Sequence, residues 1–231
     1  MVLKNKIVLL TGASTGMGKS FAKALLDKKA KVIVFGLHKP KFYSEFYKVD
    51  VSKENEIITA LAKIKKIDVL INNAGIAKIA KIIKTSNKIL DEMLNVNFKG
   101  LFWMSKYSIP KLNNNGCIIN ISSIAAFKSF EGYGIYCATK AAVISLTKTL
   151  ALELADRRIR VNSIAPGVID TEIWDKMYNG KGDKNRKESE KDVLLKRSGT
   201  PAEIAQTVIF LCENDYVNDE TIVIDGGYLS K

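Results

Sequence analysis

The sequence predicts an α/β fold in which one doubly wound parallel sheet carries helices on both faces. Two observations lead to this prediction. Short apolar runs of strand length alternate with longer amphipathic segments of helical length along the whole chain. Several of the short runs are continuously apolar and β-branched, as strands buried on both faces of a parallel sheet should be. Because no repeat, linker or second core interrupts the alternation, we expect a single domain over residues 1–231.

The pattern assigns seven strands and five helices. The predicted strands are Lys6–Thr11, Lys31–Phe35, Phe46–Val49, Val69–Ile71, Cys117–Ile121, Arg160–Ile164 and Thr221–Ile224. The predicted helices are Met17–Lys28, Lys53–Lys65, Lys88–Leu112, Tyr136–Leu154 and Pro201–Cys212. A helix therefore lies between almost every pair of consecutive strands, which is the connection that parallel neighbours need.

Two segments depart from this alternation. Only Gly36–Glu45, which contains Pro40, separates the second and third strands, so the crossover helix expected there is shortened or lost. The segment Glu172–Thr200 is rich in Lys, Asp, Gly and Asn. A long polar loop in a compact domain is usually a functional lid or a disordered insertion. We interpret residues 172–200 as a mobile substrate lid and keep the insertion as the alternative.

Composition and charge favour a cytoplasmic protein that binds small molecules. No apolar run approaches the roughly 18–20 residues of a membrane span, and the N-terminus runs into the first strand without a signal sequence. The three cysteines are scattered and His38 is the only histidine, so no metal site is predicted. The net charge of +12 comes mostly from lysines spread along the chain rather than gathered in one patch, which does not indicate a nucleic-acid partner.

A glycine-rich loop follows the first predicted strand and opens the first helix. Residues 11–18 read TGASTGMG, in which Gly12, Gly16 and Gly18 form a G-x-x-x-G-x-G pattern. Glycines let the backbone turn tightly and approach a pyrophosphate, whose charge is favoured at a helix N-terminus. This position in an α/β chain indicates a Rossmann-type dinucleotide site, although a plain strand–helix turn would also use glycines.

A tyrosine and a lysine form the second constellation. Tyr136 and Lys140 are four residues apart on a predicted helix and therefore share a face. A phenol titrates near pH ~10 in water. A cation about 6 Å away, at an effective dielectric of about 20, contributes about 2.8 kcal/mol and lowers that pKa by about two units. We therefore expect Tyr136 to be a general acid/base at neutral pH.

Two serines end the fifth predicted strand, at the edge where ligands bind in open α/β sheets. Ser123 lies thirteen residues before Tyr136, and this spacing favours it over Ser122 as the site hydroxyl. In isolation each hydroxyl could equally cap a turn. Two other tyrosines, Tyr107 and Tyr133, lack a lysine four residues further on, and we interpret them as packing or pocket-wall residues.

Taken together, these motifs resemble the short-chain dehydrogenase/reductase family. The resemblance extends from Lys6 to the DGG run at residues 225–227. It rests on Gly12, Gly16 and Gly18, the NNAG run at residues 72–75, Asn97, Ser123, Tyr136, Lys140 and the Pro166-Gly167 pair, all in the family's order and spacing. It implies an enzyme that transfers hydride between NAD(P) and a secondary alcohol or carbonyl. Members that are not enzymes but dinucleotide sensors usually lose the tyrosine or the lysine, and both are present here.

The resemblance also implies roles for individual residues. Tyr136 would be the acid/base, Lys140 would lower its pKa and hold the nicotinamide ribose, Ser123 would hold the substrate oxygen and Asn97 a relay water. Asp50 would meet the adenine amino group. The implied cofactor-binding residues are Gly12, Ser14, Thr15, Gly16, Met17, Gly18, His38, Asp50, Val51, Asn73, Ala74, Gly75, Tyr136, Lys140, Pro166, Gly167, Val168 and Thr171.

The end of the second strand departs from the family pattern, and this bears on the cofactor. Members that prefer NAD usually carry an acidic residue there, whereas this chain has Gly36 followed by Leu37, His38 and Lys39. His38 and Lys39 could face a 2′-phosphate, but Thr15 stands where many NADP-preferring members have a basic residue. We expect a slight preference for NADP.

The substrate stays open at this stage. A 3-oxoacyl-thioester reductase and an aldose (glucose-type) dehydrogenase are both consistent with the resemblance, the second because of the LHKP run at residues 37–40 and the short crossover. Trp174, at the start of the lid, is a candidate substrate contact. Family members commonly pair the two long helices, so a homo-oligomer, either a dimer or a tetramer, is also expected.

Overall fold

The computed structural model describes residues 1–231 in full and contains one sheet of seven strands. The strands are β1 (Ile7–Thr11), β2 (Lys31–Gly36), β3 (Glu45–Lys48), β4 (Ile67–Asn72), β5 (Leu112–Ile121), β6 (Arg160–Pro166) and β7 (Thr221–Ile224). The α-helices are α1 (Gly16–Asp27), α2 (Glu54–Leu61), α3 (Asn87–Leu94), α4 (Leu101–Ser108), α5 (Gly134–Glu153), α6 (Ile173–Met177), α7 (Gly182–Glu190) and α8 (Pro201–Glu213).

All neighbouring strands are parallel, in the order β3-β2-β1-β4-β5-β6-β7. The chain moves outward from β1 to β3 and then returns to the other side of β1 with β4. This reversal creates a crevice at the carboxyl ends of β1 and β4, where ligands bind in sheets of this type. The predicted α/β class with a Rossmann-type parallel sheet is confirmed.

Helices cover both faces of the sheet, and β1 shows the alternation that makes this possible. Val8 and Leu10 pack into an apolar cluster with Phe21 of α1, whereas Leu9 packs into a second cluster with Ile57 of α2. All five side chains are fully buried. A strand whose successive side chains enter two different cores must be apolar at every position, which is why β1 reads as an unbroken apolar run.

The long predicted helix Lys88–Leu112 is interrupted. The chain forms α3, a π-helical turn over Asn95–Gly100 and then α4, and Leu112 begins β5 instead of ending the helix. The fifth strand therefore starts five residues before its predicted start at Cys117. The sequence does not predict the π turn, because the helical spacing of apolar residues continues through it. Such turns occur frequently at functional sites.

The segment 172–200 is not the irregular loop that its composition predicted, because it contains α6 and α7. Helix α7 is almost wholly polar and shows no apolar stripe to identify it. Ion pairs stabilise it instead: Arg186 pairs with Asp183 and Glu190 within the segment and with Asp170 just before it. We keep the name lid for residues 172–200.

The predicted loss of a helix between β2 and β3 is confirmed. Residues 37–44 connect the two parallel strands without any helix. Ser44 closes this short connection, because its hydroxyl accepts a hydrogen bond from Val32 N and its own backbone N–H donates to Val32 O. Pro40 is buried within the connection.

One helix, α5, is long and apolar enough to cross a membrane by length and composition alone. In this fold its neighbours are protein: Val143, Leu150 and Ala151 are buried against the sheet. It also buries the ammonium-bearing Lys140. One face of this helix therefore packs inside the protein.

Two adjacent isoleucines on α2 provide a test of the core. Ile57 is fully buried, whereas Ile58 is 41% exposed. We expect Ile57→Ala to lower the free energy of unfolding by about 2–5 kcal/mol, because it removes buried methylenes and leaves a cavity. Ile58→Ala, the matched control, should cost well under about 1 kcal/mol. Urea unfolding of both variants measures the difference, and equal losses would contradict this assignment of the core face.

Candidate active site

The glycine loop lies at the carboxyl end of β1, as the sequence predicted. Gly12 and Gly16 adopt φ values of +71° and +54°, which other residues rarely adopt. Gly18 must also be glycine, because a Cβ there would overlap the carbonyl oxygen of Gly12. The shape of this loop, the glycine cradle, therefore does not tolerate a side chain at any of its three glycine positions.

The N-terminus of α1 opens onto this cradle. Thr15 is the N-cap residue, but its side chain makes no capping hydrogen bond, and the first turn contains no acidic residue. The orphan N–H groups and the helix dipole therefore favour an anion such as a pyrophosphate. Met17 follows the cap, and Ser14 and Thr15 lie in the loop itself. These features fit the phosphates of a dinucleotide.

The segment after β4 holds the glycine loop in place. The Asn73 side-chain amide donates to the carbonyl oxygens of Thr11 and Gly12, at 3.0 and 2.8 Å. In return, the Thr11 hydroxyl accepts from the backbone N–H groups of Asn73 and Ala74, both at 3.0 Å. Thr11 was not identified from the sequence, because a threonine at the end of an apolar strand carries no pattern of its own.

The end of β2 brings Gly36 to the same crevice, and two exposed basic residues follow it. The Cα of Gly36 faces Gly12. A Cβ added at position 36 would lie 3.8 Å from its nearest neighbour, the backbone nitrogen of Gly12, so a side chain has room there. His38 is exposed, and the Lys39 ammonium lies over the ring of Tyr43, 5.5 Å from its centroid. The Tyr43 hydroxyl raises the pKa of Lys39 through a hydrogen bond.

The next strand end contributes Asp50 and Val51. One carboxylate oxygen of Asp50 accepts hydrogen bonds from the Ser52 backbone N–H and hydroxyl, at 2.9 and 2.7 Å, and its other oxygen has no partner. Val51 is buried beneath it, against Gly100 in the π turn. A free carboxylate oxygen at this edge fits the adenine amino group implied by the family resemblance.

The π turn brings Asn97 beside the lysine of α5. The Asn97 amide N–H2 group donates to Ile76 O and to the Thr139 hydroxyl, while its oxygen accepts from Ile76 N. A Cβ on Gly75 would lie 3.4 Å from that oxygen and 3.6 Å from Lys140 Nζ. The oxygen keeps one lone pair, so a water between it and Lys140 has an acceptor.

Tyr136 and Lys140 lie on one face of α5, with Lys140 Nζ 5.7 Å from the centroid of the Tyr136 ring. The distance matches the sequence expectation, but the expected lowering of the tyrosine pKa is wrong for the protein without ligands. Burial raises the pKa of Tyr136 to about 12, against the opposing effect of a hydrogen bond with Ser123. Burial also lowers the pKa of Lys140 to about 8. Burial therefore disfavours the charged form of each group.

The two candidate serines have different surroundings. The Ser122 hydroxyl donates to the backbone oxygen of Lys140 at 2.8 Å and is buried. The Ser123 hydroxyl accepts from Ala125 N at 3.1 Å, and its side chain lies near enough to Tyr136 to lower the pKa of the phenol. Ser122 ties α5 to the end of β5, so Ser123 stays the predicted partner of the substrate oxygen.

These groups border a pocket of about 200 Å³ that contains no charged side chain. Ser123 and Tyr136 lie on one side, and the strand end with Pro166, Gly167 and Val168 lies on another. Thr171, which follows this strand end, and Trp174 also line the pocket. Trp103, by contrast, packs against the core on the other face of the sheet. Tyr107 is also remote from the pocket, because its hydroxyl donates to Glu54.

Several pocket residues were not identified from the sequence. They share an aromatic or apolar character and come from segments without periodicity. They are Ile124, Phe130, Ile173, Met177, Tyr178 and Tyr228. Tyr133, interpreted from the sequence as a packing or pocket-wall residue, lines the pocket and bonds the hydroxyl of Tyr178. The pKa of Tyr133 is raised strongly by burial and by this bond, so its phenol stays protonated.

A glycine cradle, together with half-buried Tyr136 and Ser123 beside the buried Lys140, defines a dinucleotide-dependent α/β oxidoreductase at one edge of a parallel sheet. Comparisons with known proteins agree. A family model described as enoyl-(acyl carrier protein) reductase matches residues 12–229. The chain belongs to the short-chain dehydrogenase/reductase family and is an oxidoreductase; enzymes of this family act on small molecules and use NAD(P).

Three similar proteins illustrate the range of the family. The 3-oxoacyl-(acyl-carrier-protein) reductase FabG of Thermotoga maritima is 35% identical over 98% of this chain and 99% of its own. The ligand-free aldohexose dehydrogenase of Thermoplasma acidophilum has a TM-score of 0.92 at 30% identity, covering 99% of this chain and 96% of that one. ElxO with bound NADP has a TM-score of 0.87 at 31% identity, covering 98% and 100%.

The burial of Lys140 makes a prediction about stability. Its pKa falls from 10.5 to about 8 on folding, so keeping it charged costs on the order of 3 kcal/mol below pH 8. Its hydrogen bond to Ile121 O, at 2.9 Å, offsets about 1 kcal/mol. We expect Lys140→Met to raise the free energy of unfolding by about 1–3 kcal/mol at pH 7.

The pH dependence of this gain has a definite sign. Between pH 8 and 10.5 the unfolded chain binds more protons at Lys140 than the folded chain does, so wild-type stability rises with pH and the advantage of the variant disappears. Lys148→Met, on an exposed position of the same helix, is the matched control and should show no such effect. Urea unfolding at pH 7 and pH 10.5 checks both, and a destabilised Lys140→Met at pH 7 would refute the argument.

Proposed function

We propose that this protein is an NAD(P)-dependent carbonyl reductase, able to run in reverse as a secondary-alcohol dehydrogenase. The observation that carries the proposal is that Tyr136 and Ser123 line an uncharged pocket beside residues 166–171, with the Lys140 ammonium 5.7 Å from the centroid of the Tyr136 ring. Bound NAD(P)H would supply the hydride. The roles below describe what the residues of the chain do.

Tyr136 is the general acid in reduction. With its pKa raised to about 12, the phenol is fully protonated at neutral pH and can donate its proton to the carbonyl oxygen as negative charge develops there. Ser123 donates a second hydrogen bond to the same oxygen and orients the substrate. In the oxidation direction the phenolate accepts the alcohol proton, so oxidation is favoured as the pH rises.

Lys140 and Asn97 support the phenol. The Lys140 ammonium, charged below pH 8, stabilises the phenolate that remains after proton donation and can donate to the cofactor ribose. Asn97 Oδ1 accepts from a water that bonds Lys140, and this water carries a proton from solvent back to the site. The other proposed cofactor contacts are the cradle at 12–18, Asp50 and Val51, the run 73–75, and the strand end at Pro166–Thr171.

For the substrate, we propose a 3-oxoacyl thioester, with an aldose as the alternative. The Thermotoga relative supports the first and the Thermoplasma structural neighbour the second. The pocket favours the thioester, because an acyl chain suits a wall of apolar and aromatic side chains, whereas the hydroxyls of an aldose would lack charged or amide partners there. A panel of 3-oxoacyl thioesters, aldoses and secondary alcohols, assayed with both cofactors, discriminates between the two.

The role of Tyr136 predicts a large kinetic effect. We expect Tyr136→Phe to lose at least about 10²–10⁴-fold in kcat while cofactor binding persists, because only the acidic hydroxyl is removed. Tyr216→Phe, a fully exposed tyrosine elsewhere, should retain wild-type kcat. Steady-state kinetics and cofactor titration measure the two effects, and near-normal turnover in Tyr136→Phe would rule out the assignment.

For the cofactor, we propose a modest preference for NADP, about tenfold. Residues 36–44 contain no Asp or Glu, and exposed His38 and Lys39 can approach a 2′-phosphate, although Lys39 already contacts Tyr43. The NADP-bound ElxO structure supports this choice. A side chain fits at position 36 without strain. We expect Gly36→Asp to shift the ratio of kcat/KM values toward NAD, through a new acceptor and repulsion of the phosphate. A wild type that strongly prefers NAD would contradict this.

We also propose that residues 172–200 act as a lid over bound substrate. The lid begins directly after Thr171 and contributes Trp174 and Tyr178 to the pocket. Lids of this kind complete a site and exclude water. Hydrogen exchange across the lid should slow when cofactor and a substrate analogue are added together. Exchange that is unchanged by ligands would identify the segment as an insertion without a role in closure.

Assembly and location are part of the same proposal. Phe102 on α4 and Leu152 on α5 are 42% and 77% exposed, which supports a homo-oligomer, a dimer or tetramer, built on these helices. All three cysteines are free, which agrees with a reducing, cytoplasmic location.

A further inference from the structure

The outer wall of the substrate pocket is a set of aromatic rings in mutual contact. Trp174 and Tyr178 of the lid side stack at 6.1 Å with planes 6° apart. On the opposite side Phe130 contacts Tyr133 at 5.6 Å, and Tyr133 meets the ring of Tyr136 edge-on at 6.3 Å. Aromatic contacts of this geometry each contribute to packing, so the wall consists of one stacked pair on the lid and a second group that reaches the proposed catalytic phenol.

One hydrogen bond closes this wall. The hydroxyls of Tyr133 and Tyr178 lie 2.8 Å apart, and no other hydrogen bond or ion pair joins the lid to residues 124–136. Both tyrosines are partly buried and both line the pocket. Displacing the Tyr178 ring would leave the Tyr133 hydroxyl without a partner in an apolar site, which is costly. The pair therefore resists a substrate that pushes the wall outward.

The pocket that this wall borders is small and partly open to solvent. Its volume is about 200 Å³, below the roughly 300–1,000 Å³ of typical ligand pockets. Part of the lining, from Pro166 to Thr171, is the edge at which the proposed nicotinamide would lie, so less than this volume is left for substrate. An interior this tight discriminates by size, since one methylene that does not fit costs about 10–200-fold in kcat/KM.

We propose that Tyr133 and Tyr178 are the specificity-determining residues of the site. Through their hydroxyl pair they hold an uncharged aromatic wall in place and restrict the reaction to short-chain, uncharged carbonyl substrates. This inference rests on the proposed carbonyl reduction and adds to it a limit on size. Tyr178 sets the limit with its ring, and Tyr133 anchors that ring from the catalytic side.

Turnover of a graded substrate series tests the size limit. The probes are methyl ketones from 2-butanone to 2-decanone and the N-acetylcysteamine thioesters of acetoacetate and 3-oxooctanoate, each with NADPH. We expect wild type to favour the short member of each series by about tenfold or more in kcat/KM. Tyr178→Ala should shift that ratio at least about tenfold toward the long member. Tyr216→Ala, on an exposed tyrosine, should leave it unchanged.

Removing hydroxyls separates the anchor from the ring. Tyr133→Phe and Tyr178→Phe delete the same hydrogen bond. Each should therefore reduce the kcat/KM preference for the short substrate by a similar factor, smaller than the factor for Tyr178→Ala. The double variant should reduce this preference no further. A wild type without size dependence, a ratio that Tyr178→Ala leaves unchanged, or additive effects of the two Phe variants would each overturn the proposal. Tyr136→Phe should abolish turnover with every probe, which identifies the activity as that of the proposed site.

A measurement that does not depend on catalytic turnover tests the tyrosine pair separately from the proposed carbonyl reduction. In the ligand-free protein, hydrogen exchange at residues 173–178 should quicken several-fold in Tyr133→Phe and Tyr178→Phe but not in Tyr216→Phe. If no probe is reduced, the proposed function fails, and this exchange result still decides whether the tyrosine pair holds the wall. Equal exchange in all three variants would show that it does not.

Discussion

Parallel pairing of seven strands is the constraint on which the rest of the structure depends. In such a sheet every strand ends at the same edge, so loops that are far apart in sequence meet there. The Asn73 amide and the Thr11 hydroxyl join the loops after β4 and β1 and hold the backbone of the glycine cradle. Two further candidate residues, Ser123 after β5 and Pro166 at the end of β6, lie at the same edge for the same reason.

The candidate site buries two ionisable groups, Tyr136 and Lys140, whose charged forms would be better solvated in water. Burial raises the pKa of Tyr136 and lowers that of Lys140, so the fold disfavours both phenolate and ammonium. A phenol that stays protonated suits an acid, and a lysine that can lose its proton near pH 8 suits a relay. Burial therefore adjusts the protonation of both groups to their proposed roles. It lowers the stability of the fold, a cost that a pair of uncharged packing residues would not have.

Similar proteins with different substrates have nearly the same fold, which directs attention to the pocket wall. The Thermotoga reductase and the Thermoplasma aldohexose dehydrogenase each match this chain over almost its whole length. The sheet and glycine cradle are thus compatible with more than one substrate. In this chain the wall comes from the lid and from residues 124–136, which share one hydrogen bond, between Tyr133 and Tyr178. Specificity in such a site depends on segments that the sheet itself does not constrain.

The sequence by itself determined the parallel α/β sheet, the glycine cradle and the shared face of Tyr136 and Lys140. These features depend on short-range periodicity and spacing, which any buried strand or helix must obey. Only the tertiary structure decided the direction of the Tyr136 pKa shift, because desolvation depends on what surrounds the phenol. It also decided that residues 172–200 contain helices stabilised by ion pairs of Arg186, and that Tyr133 meets Tyr178, forty-five residues further along the chain. Such contacts join segments without periodicity, so no local pattern in the sequence could have predicted them.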